Sequence, residues 1–312
     1  MNHKKLRVVF TRLLLAAPVL PLLGCGDNSE PFMITYTVAP QSQPDGGVWP
    51  GPGATCDEIC ERVACQYSEE KCELKERRPD GTVILECSSW CDGRRPEGLV
   101  SPGRVAGSVS ELGALFALKA HLEAASVPAF ERLARELEAH GAPAELVRAA
   151  LRSAREEVGH ARAMEALARH HGASIPEVVV EPFTSRSLEA MALENAEEGC
   201  VREALGALMA GWQARSARDA EIRRVMEPIA EDELRHAELS WEIDAWASSQ
   251  LGASAKERLH EARVEALRTL RRDMEANHPS EELVVRAGVP SREATRMLLN
   301  GLAEMVFPPA LA

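Results

Sequence analysis

A unit of two glutamates and a histidine occurs twice in this chain. Glu123 precedes Glu157-Val158-Gly159-His160 by 34 residues, and Glu198 precedes Glu233-Leu234-Arg235-His236 by 35. All four glutamates fall on the alternating three-four spacing that marks the buried seam of a long amphipathic helix. The first seam reads Phe116, Lys119, Glu123, Ser126, Phe130, Leu133, Leu137, and the second Leu146, Ala150, Ser153, Glu157, His160, Met164, Leu167. The third reads Met191, Glu194, Glu198, Val201, Leu205, Leu208, Trp212, and the fourth Ile222, Met226, Ile229, Glu233, His236, Ser240, Ile243. Four apolar seams, each interrupted by acid near its middle, require that the helices meet around one polar centre.

The spacing predicts helices over about 110–140, 144–171, 185–215 and 219–249, with Gly141, Pro143, Gly172 and Gly252 as punctuation. Apolar residues make up 45% and aromatics only 4%, a balance that excludes a β-sandwich and favours an all-α fold with a small-residue core. The first two helices are joined by a few residues, as are the last two, so each pair forms an antiparallel hairpin. Residues 172–184, with Val178-Val179-Val180 and two prolines, connect the hairpins. Thirteen extended residues reach about 40 Å, the length of such a helix. The expected layout is therefore a four-helix bundle with a long crossover between helices 2 and 3.

Unpaired buried carboxylates cost several kcal/mol each, so four aimed at one core need compensation. Two divalent cations balance four carboxylates, and two neutral imidazoles complete the set. Glu and His at i and i+3 share a helix face, so each motif can offer an oxygen and a nitrogen together. Oxygen-rich ligation with one imidazole per ion suits iron or manganese better than structural zinc. The bare Glu-x-x-His pattern also matches Glu257–His260 and Glu275–His278. The first of these lacks an upstream glutamate at the same distance. The second neighbours Arg271 and Arg272 and stands just before Pro279, so both read as solvated helix faces.

The repeated Glu…Glu-x-x-His unit resembles the ferritin-like di-iron carboxylate superfamily, which includes rubrerythrin, bacterioferritin and several O₂-dependent hydroxylases. The resemblance covers about 110–249. It implies a ferritin-like bundle holding two Fe ions, or Mn, on Glu123, Glu157, His160, Glu198, Glu233 and His236, with Glu157 and Glu233 bridging. Glu194 and Glu197 are close alternatives to Glu198 on the third helix. The implied activity is an oxidoreductase reacting with O₂ or peroxide, as a ferroxidase, peroxidase or substrate oxidase. No rubredoxin-type pair of Cys-x-x-Cys motifs is present, so the electron donor would be a separate partner. Both tyrosines, Tyr36 and Tyr67, precede the bundle and offer no radical site within it. Dimanganese catalase-like chemistry ranks below these, since that pattern has fewer carboxylates. A non-catalytic metal-binding or structural lipoprotein is the alternative from another class.

The N-terminus reads as an address. Lys4, Lys5, Arg7 and Arg12 precede an apolar run over 13–23 that ends Leu22-Leu23-Gly24-Cys25. The run is too short to span a bilayer. Its ending resembles a bacterial lipoprotein signal over 1–25, with Cys25 lipidated and the membrane as partner. The expected location is extracytoplasmic, membrane-anchored. Residues 26–55 read as a Pro/Gly tether reaching roughly 30 Å. An oxidising compartment favours disulfides among Cys56, Cys60, Cys65, Cys72, Cys87 and Cys91 in a module over 56–109, with zinc as the rival reading. Spacing suggests Cys56-x3-Cys60 stapled beside Cys87-x3-Cys91 and a small Cys65–Cys72 loop. Cys200 reads as a small buried residue. Residues 251–312 read as a helical extension covering the bundle. A net charge of −12 argues against nucleic acid as a partner.

Overall fold

A computed structural model of the chain describes residues 3–16, 33–38, 40–42, 48–63, 72–88, 99–100, 110–175, 178–180, 183–276 and 279–307. The fold is mostly helical, as the composition and periodicity predict, and it adds a small sheet that the all-α reading did not include. Before the bundle lie α1 (His3–Ala16), β1 (Met33–Val38), β2 (Gln41–Ser42), β3 (Val48–Trp49), α2 (Cys56–Val63), β4 (Cys72–Arg77), β5 (Val83–Ser88) and β6 (Leu99–Val100). The strands β1, β5 and β4 form an antiparallel sheet in that order, and α2 covers it through Ile59 and Cys60 against Val38, Val83 and Leu85.

The first hairpin is α3 (Glu111–Ala139) and α4 (Ala144–His170). Ser110 starts α3, its Oγ accepting from the Gly113 N–H, the N-cap expected of a hydroxyl there. Gly141 closes the turn at φ 72°, a left-handed conformation that favours glycine at a helix end. The Ser110 hydroxyl also donates to the His171 carbonyl at 3.0 Å, which ties the end of α4 to the start of α3. At the opposite end of the hairpin, the Arg186 side chain holds Glu136 with bonds of 2.9 and 2.7 Å. The connection from Gly172 to Arg186 therefore travels the length of the hairpin, and on the way β7 (Val179–Val180) pairs with β6.

The third helix departs from expectation. It starts as α5 (Leu188–Glu194), becomes π-helical over Asn195–Glu203, and continues as α6 (Ala204–Ser216). Asp219 then caps α7 (Ala220–Gln250) by accepting from the Glu221 and Ile222 N–H groups. Two apolar clusters lie on either side of the bundle's middle. Phe116, Met164, Ile222 and Met226 belong to one, and Phe130, Leu137, Met191 and Ile243 to the other. The acidic seam positions fall between them.

The extension is α8 (Ala253–Ala276), α9 (Glu281–Arg286) and α10 (Arg292–Val306). With α6 and α7 it builds a third apolar cluster, and α1 is seated in it. Phe10 is 2% exposed among Leu208, Trp241, Leu298 and Leu302, and Arg7 holds Glu238 with bonds of 2.7 and 2.9 Å. Among the described residues, no helix is long and apolar enough to cross a membrane. Cys25, Cys65 and Cys91 lie outside the described residues. The spacing suggested Cys65 as the partner of Cys72, and the described residues offer a different one. Cys72 stands at disulfide distance from Cys56, with Cα atoms 5.8 Å apart. The sheet explains the difference, because it carries β4 directly under the helix that bears Cys56.

Candidate metal centre

The middle of the bundle gathers carboxylates around two imidazoles. The His160 Nδ1 lies 3.5 Å from Glu123, 3.5 Å from Glu157 and 3.2 Å from Glu233. The His236 Nδ1 lies 3.0 Å from Glu157, 3.4 Å from Glu203 and 3.9 Å from Glu233. Glu157 and Glu233 thus face both rings, whereas Glu123 belongs to the first group and Glu203 to the second. The ring centroids are 5.8 Å apart. Helical spacing explains each pair: Glu157 and His160 are one turn apart on α4, as are Glu233 and His236 on α7.

Glu203 replaces Glu198 in this arrangement. Extrapolating a regular seam along the third helix places Glu198 at the centre and Glu203 off the seam. The π-helical segment takes more residues per turn, so it rotates everything beyond its start and carries Glu203 inward. Glu203 is 2% exposed. Glu198 instead pairs with Arg202 at 3.2 Å, Glu194 pairs with Arg186, and Glu197 is exposed. None of the three reaches the cluster.

The outer nitrogens of the two rings are held by acids on the opposite helix. His160 Nε2 on α4 meets Asp232 on α7 at 3.1 Å, and His236 Nε2 on α7 meets Glu156 on α4 at 2.9 Å. Arg235 donates to both Glu156 and Asp232, so one guanidinium ties the two acids together. These residues were missed on the seams because each sits one position before a seam glutamate. The signal was present as an acid immediately before the motif, Glu156-Glu157 and Asp232-Glu233. The surface pairs carry Lys256 and Met274 at that position.

Burial pushes the Glu233 carboxyl up to about 7, and the Glu157 carboxylate adds to the shift. Burial likewise raises Glu157, with Glu123 as the second cause. Burial alone would lower both histidines, but the close negative carboxylates facing the rings outweigh it and hold both well above their ordinary value. Glu156 behaves oppositely. Its bonds from His236 and Arg235 overcome burial and hold it down at about 2. It therefore stays an anion while the inner glutamates compete for protons.

The donor set fits cations. Glu157 Oε2, His160 Nδ1, Glu203 Oε1 and His236 Nδ1 are buried, and none has a hydrogen-bond partner. Buried polar atoms are rarely left in this state, and here four of them converge from three helices. Two groups of ligating atoms lie within 4.8 Å of one another: Glu123, Glu157, His160 and Glu233 in one, Glu157, Glu203 and His236 in the other. The oriented outer nitrogens present both Nδ1 lone pairs inward, the usual support for an imidazole ligand.

A cleft opens on one side of the carboxylates. It admits about 40 Å³ of water-sized occupants between Lys119, Leu122, Ser126, Gly206, Met226 and Ile229. Gly206 and the nearby Ala210 lack bulk, which keeps this side open. No family model matches the chain, and no curated protein or solved structure matches it either.

Proposed function

We propose that this chain is a ferritin-like protein holding two metal ions, iron in the first place, and that it acts as an oxidoreductase on O₂ or peroxide. The observation that carries this reading is the sharing of Glu157 and Glu233 between two inward-facing imidazole nitrogens, with one further carboxylate for each. Glu123, Glu157, Glu233 and His160 would hold one ion, and Glu157, Glu203, Glu233 and His236 the other. Four carboxylates against two divalent ions leave no net charge in the apolar interior. Bound ions would supply redox chemistry towards dioxygen or peroxide that no side chain possesses.

The protein's own groups would do the rest. Asp232 and Glu156 orient the rings and keep their inner nitrogens directed at the centre. The Glu233 carboxyl, raised to about 7, can take up or release a proton near neutral pH, and Glu157 beside it is raised as well, so the pair can follow charge changes at the centre. The walls of Leu122, Met226 and Ile229 limit water, and the space available suits a diatomic or similarly small molecule. The leader ending in Cys25 supports a lipid-anchored, extracytoplasmic setting, with an electron donor supplied from outside the chain.

Elemental analysis of the protein isolated without added metal tests the reading, run beside a Glu157→Ala, Glu233→Ala double variant. Two irons per chain, lost in the variant, and consumption of O₂ or peroxide by the reduced protein are expected. Bound manganese would redirect the reading to peroxide disproportionation. Absence of metal after anaerobic loading with ferrous iron would end it.

A further inference from the structure

The outward face of α4 carries a row of like charge. Arg148, Arg152, Arg155, Arg162 and Arg169 recur at intervals of three, four or seven residues, the spacing that returns a side chain to the same side of a helix. The two places left between them on that line are Gly159 and Ala166, so nothing bulky interrupts the row. All of these residues are exposed, and α4 packs chiefly on α3 and α7 with its other side. From Arg148 to Arg169 the row runs about 30 Å. The chain as a whole carries −12, so this concentration of positive charge runs against the sign of the molecule. Glu145, Glu156 and Glu165 flank the row and pair with Arg148, Arg152 and Arg169, although Glu156 is already engaged by Arg235 and His236. Among the described residues, no ion pair engages Arg155 or Arg162 in the middle of the row. A protein partner would also require an apolar centre to its interface. Leu151, 40% exposed, is the one large apolar side chain that α4 exposes.

We propose that this face of α4 is a docking surface for an anionic lipid membrane. Guanidinium forks bond phosphate oxygens in pairs, and a straight row about 30 Å long can lie flat on a plane of headgroups. Gly159 and Ala166 let the helix approach that plane closely. The exposed acids Glu221, Glu227, Glu231 and Glu242 of α7 are repelled by the same lipids, so the charge pattern also selects one orientation. The surface rests on the lipid-anchored setting proposed above. A tether reaching roughly 30 Å keeps the bundle near enough for individually weak charge contacts to hold it down. α4 contributes only Glu157 to the walls of the cleft beside the carboxylates, the rest coming from α3, the π-helical segment, α6 and α7. Docking through α4 therefore leaves that cleft clear of lipid and open to molecules arriving from water.

The test is arginine footprinting of the native full chain with phenylglyoxal, read by peptide mapping. It is run without vesicles, with phosphatidylcholine vesicles, and with phosphatidylcholine vesicles containing about a third phosphatidylglycerol. The anionic vesicles should slow modification of Arg155 and Arg162 about five-fold or more. Arg224 on α7 and Arg268 on α8, both exposed, should react as they do with neutral vesicles. An Arg155→Gln, Arg162→Gln variant with unchanged far-ultraviolet dichroism should co-sediment with the anionic vesicles about 25-fold more weakly, about five-fold for each charge removed. Three results would each overturn the proposal. An equal loss in an Arg224→Gln, Arg268→Gln variant would reduce the effect to net charge. Protection confined to Arg7 and Arg12 would mean that α1 alone meets the lipid. Protection of α4 that grows with protein concentration in the absence of vesicles would assign the row to a second copy of the chain. None of these readouts depends on lipid at Cys25, which mass spectrometry of the membrane-extracted protein reads separately, so the docking surface and the anchor fail independently.

Discussion

A carboxylate's place on the third helix decides whether it joins the buried cluster or pairs with a neighbouring arginine. Glu203→Gln should remove the ligand specific to the His236 side and reduce bound metal towards one ion per chain, read by elemental analysis. Glu198→Gln should leave the stoichiometry unchanged, because Glu198 pairs with Arg202. Equal metal loss in the two variants would mean that the helix winds differently in solution. Glu156→Gln and Asp232→Asn should each weaken metal binding roughly 10- to 100-fold, since each loosens one ring rather than removing a ligand. A competition titration against a chelator reads this. The pH dependence follows from the same residues. In the metal-free protein Glu233 is raised to about 7, Glu157 and both histidines are raised as well, and so the folded state binds more protons than the unfolded. The stability from these protons is complete at acid pH and is lost as pH rises, first through the Glu233 titration near 7 and then through the histidines. Thermal melts of chelator-treated protein should therefore fall in midpoint from about pH 5 to about pH 8. Metal uptake should release protons and strengthen over the same interval. A metal-free midpoint that climbs across that range would contradict the charge assignment.

At the scale of elements, much of the bundle is legible in the sequence because a seam is a periodic signal. Glu123, Glu157, His160, Glu233 and His236 are gathered by helices that keep their period. Glu203 was not legible, because a π segment has no simple signature in composition and breaks the period used to find it. The acids that orient the rings escaped for a different reason: they reach across to the opposite helix, and a single-helix pattern cannot show that. The cysteine pairing was hidden because it depends on which strand lies under α2. Turns also carry local demands. Gly288, between α9 and α10, sits at φ 67°, and a β-carbon there would lie 2.4 Å from the Ala217 amide nitrogen. Gly288→Ala should cost about 2 kcal/mol, from the left-handed conformation and the clash together. Denaturant unfolding at fixed metal content would show a lower midpoint with an unchanged slope. A neutral result would mean that the junction of α6 and α7 can shift to make room.

Across the whole molecule, the extension and α1 share one apolar face. Phe10, Leu13 and Leu14 enter a groove among α6, α7 and α10, and Gly211 and Gly301 have no side chains to block them. A β-carbon on Gly301 would come within 2.2 Å of Leu13, so Gly301→Leu should expel α1. Limited proteolysis of the full chain should then cut within residues 3–16 much faster, while the metal content, set elsewhere in the bundle, should not change. Equal cutting rates would show that the groove does not hold the helix. The seating of α1 also gives the processing proposed at Cys25 a second effect. Removing the leader would strip away part of the interior, and the anchored form would present a slot of Leu208, Leu298 and Leu302 that the newly made chain keeps covered. The precursor and the anchored protein would thus wear different surfaces, and the cut that grants a lipid tail would also uncover an oily patch able to rest against it.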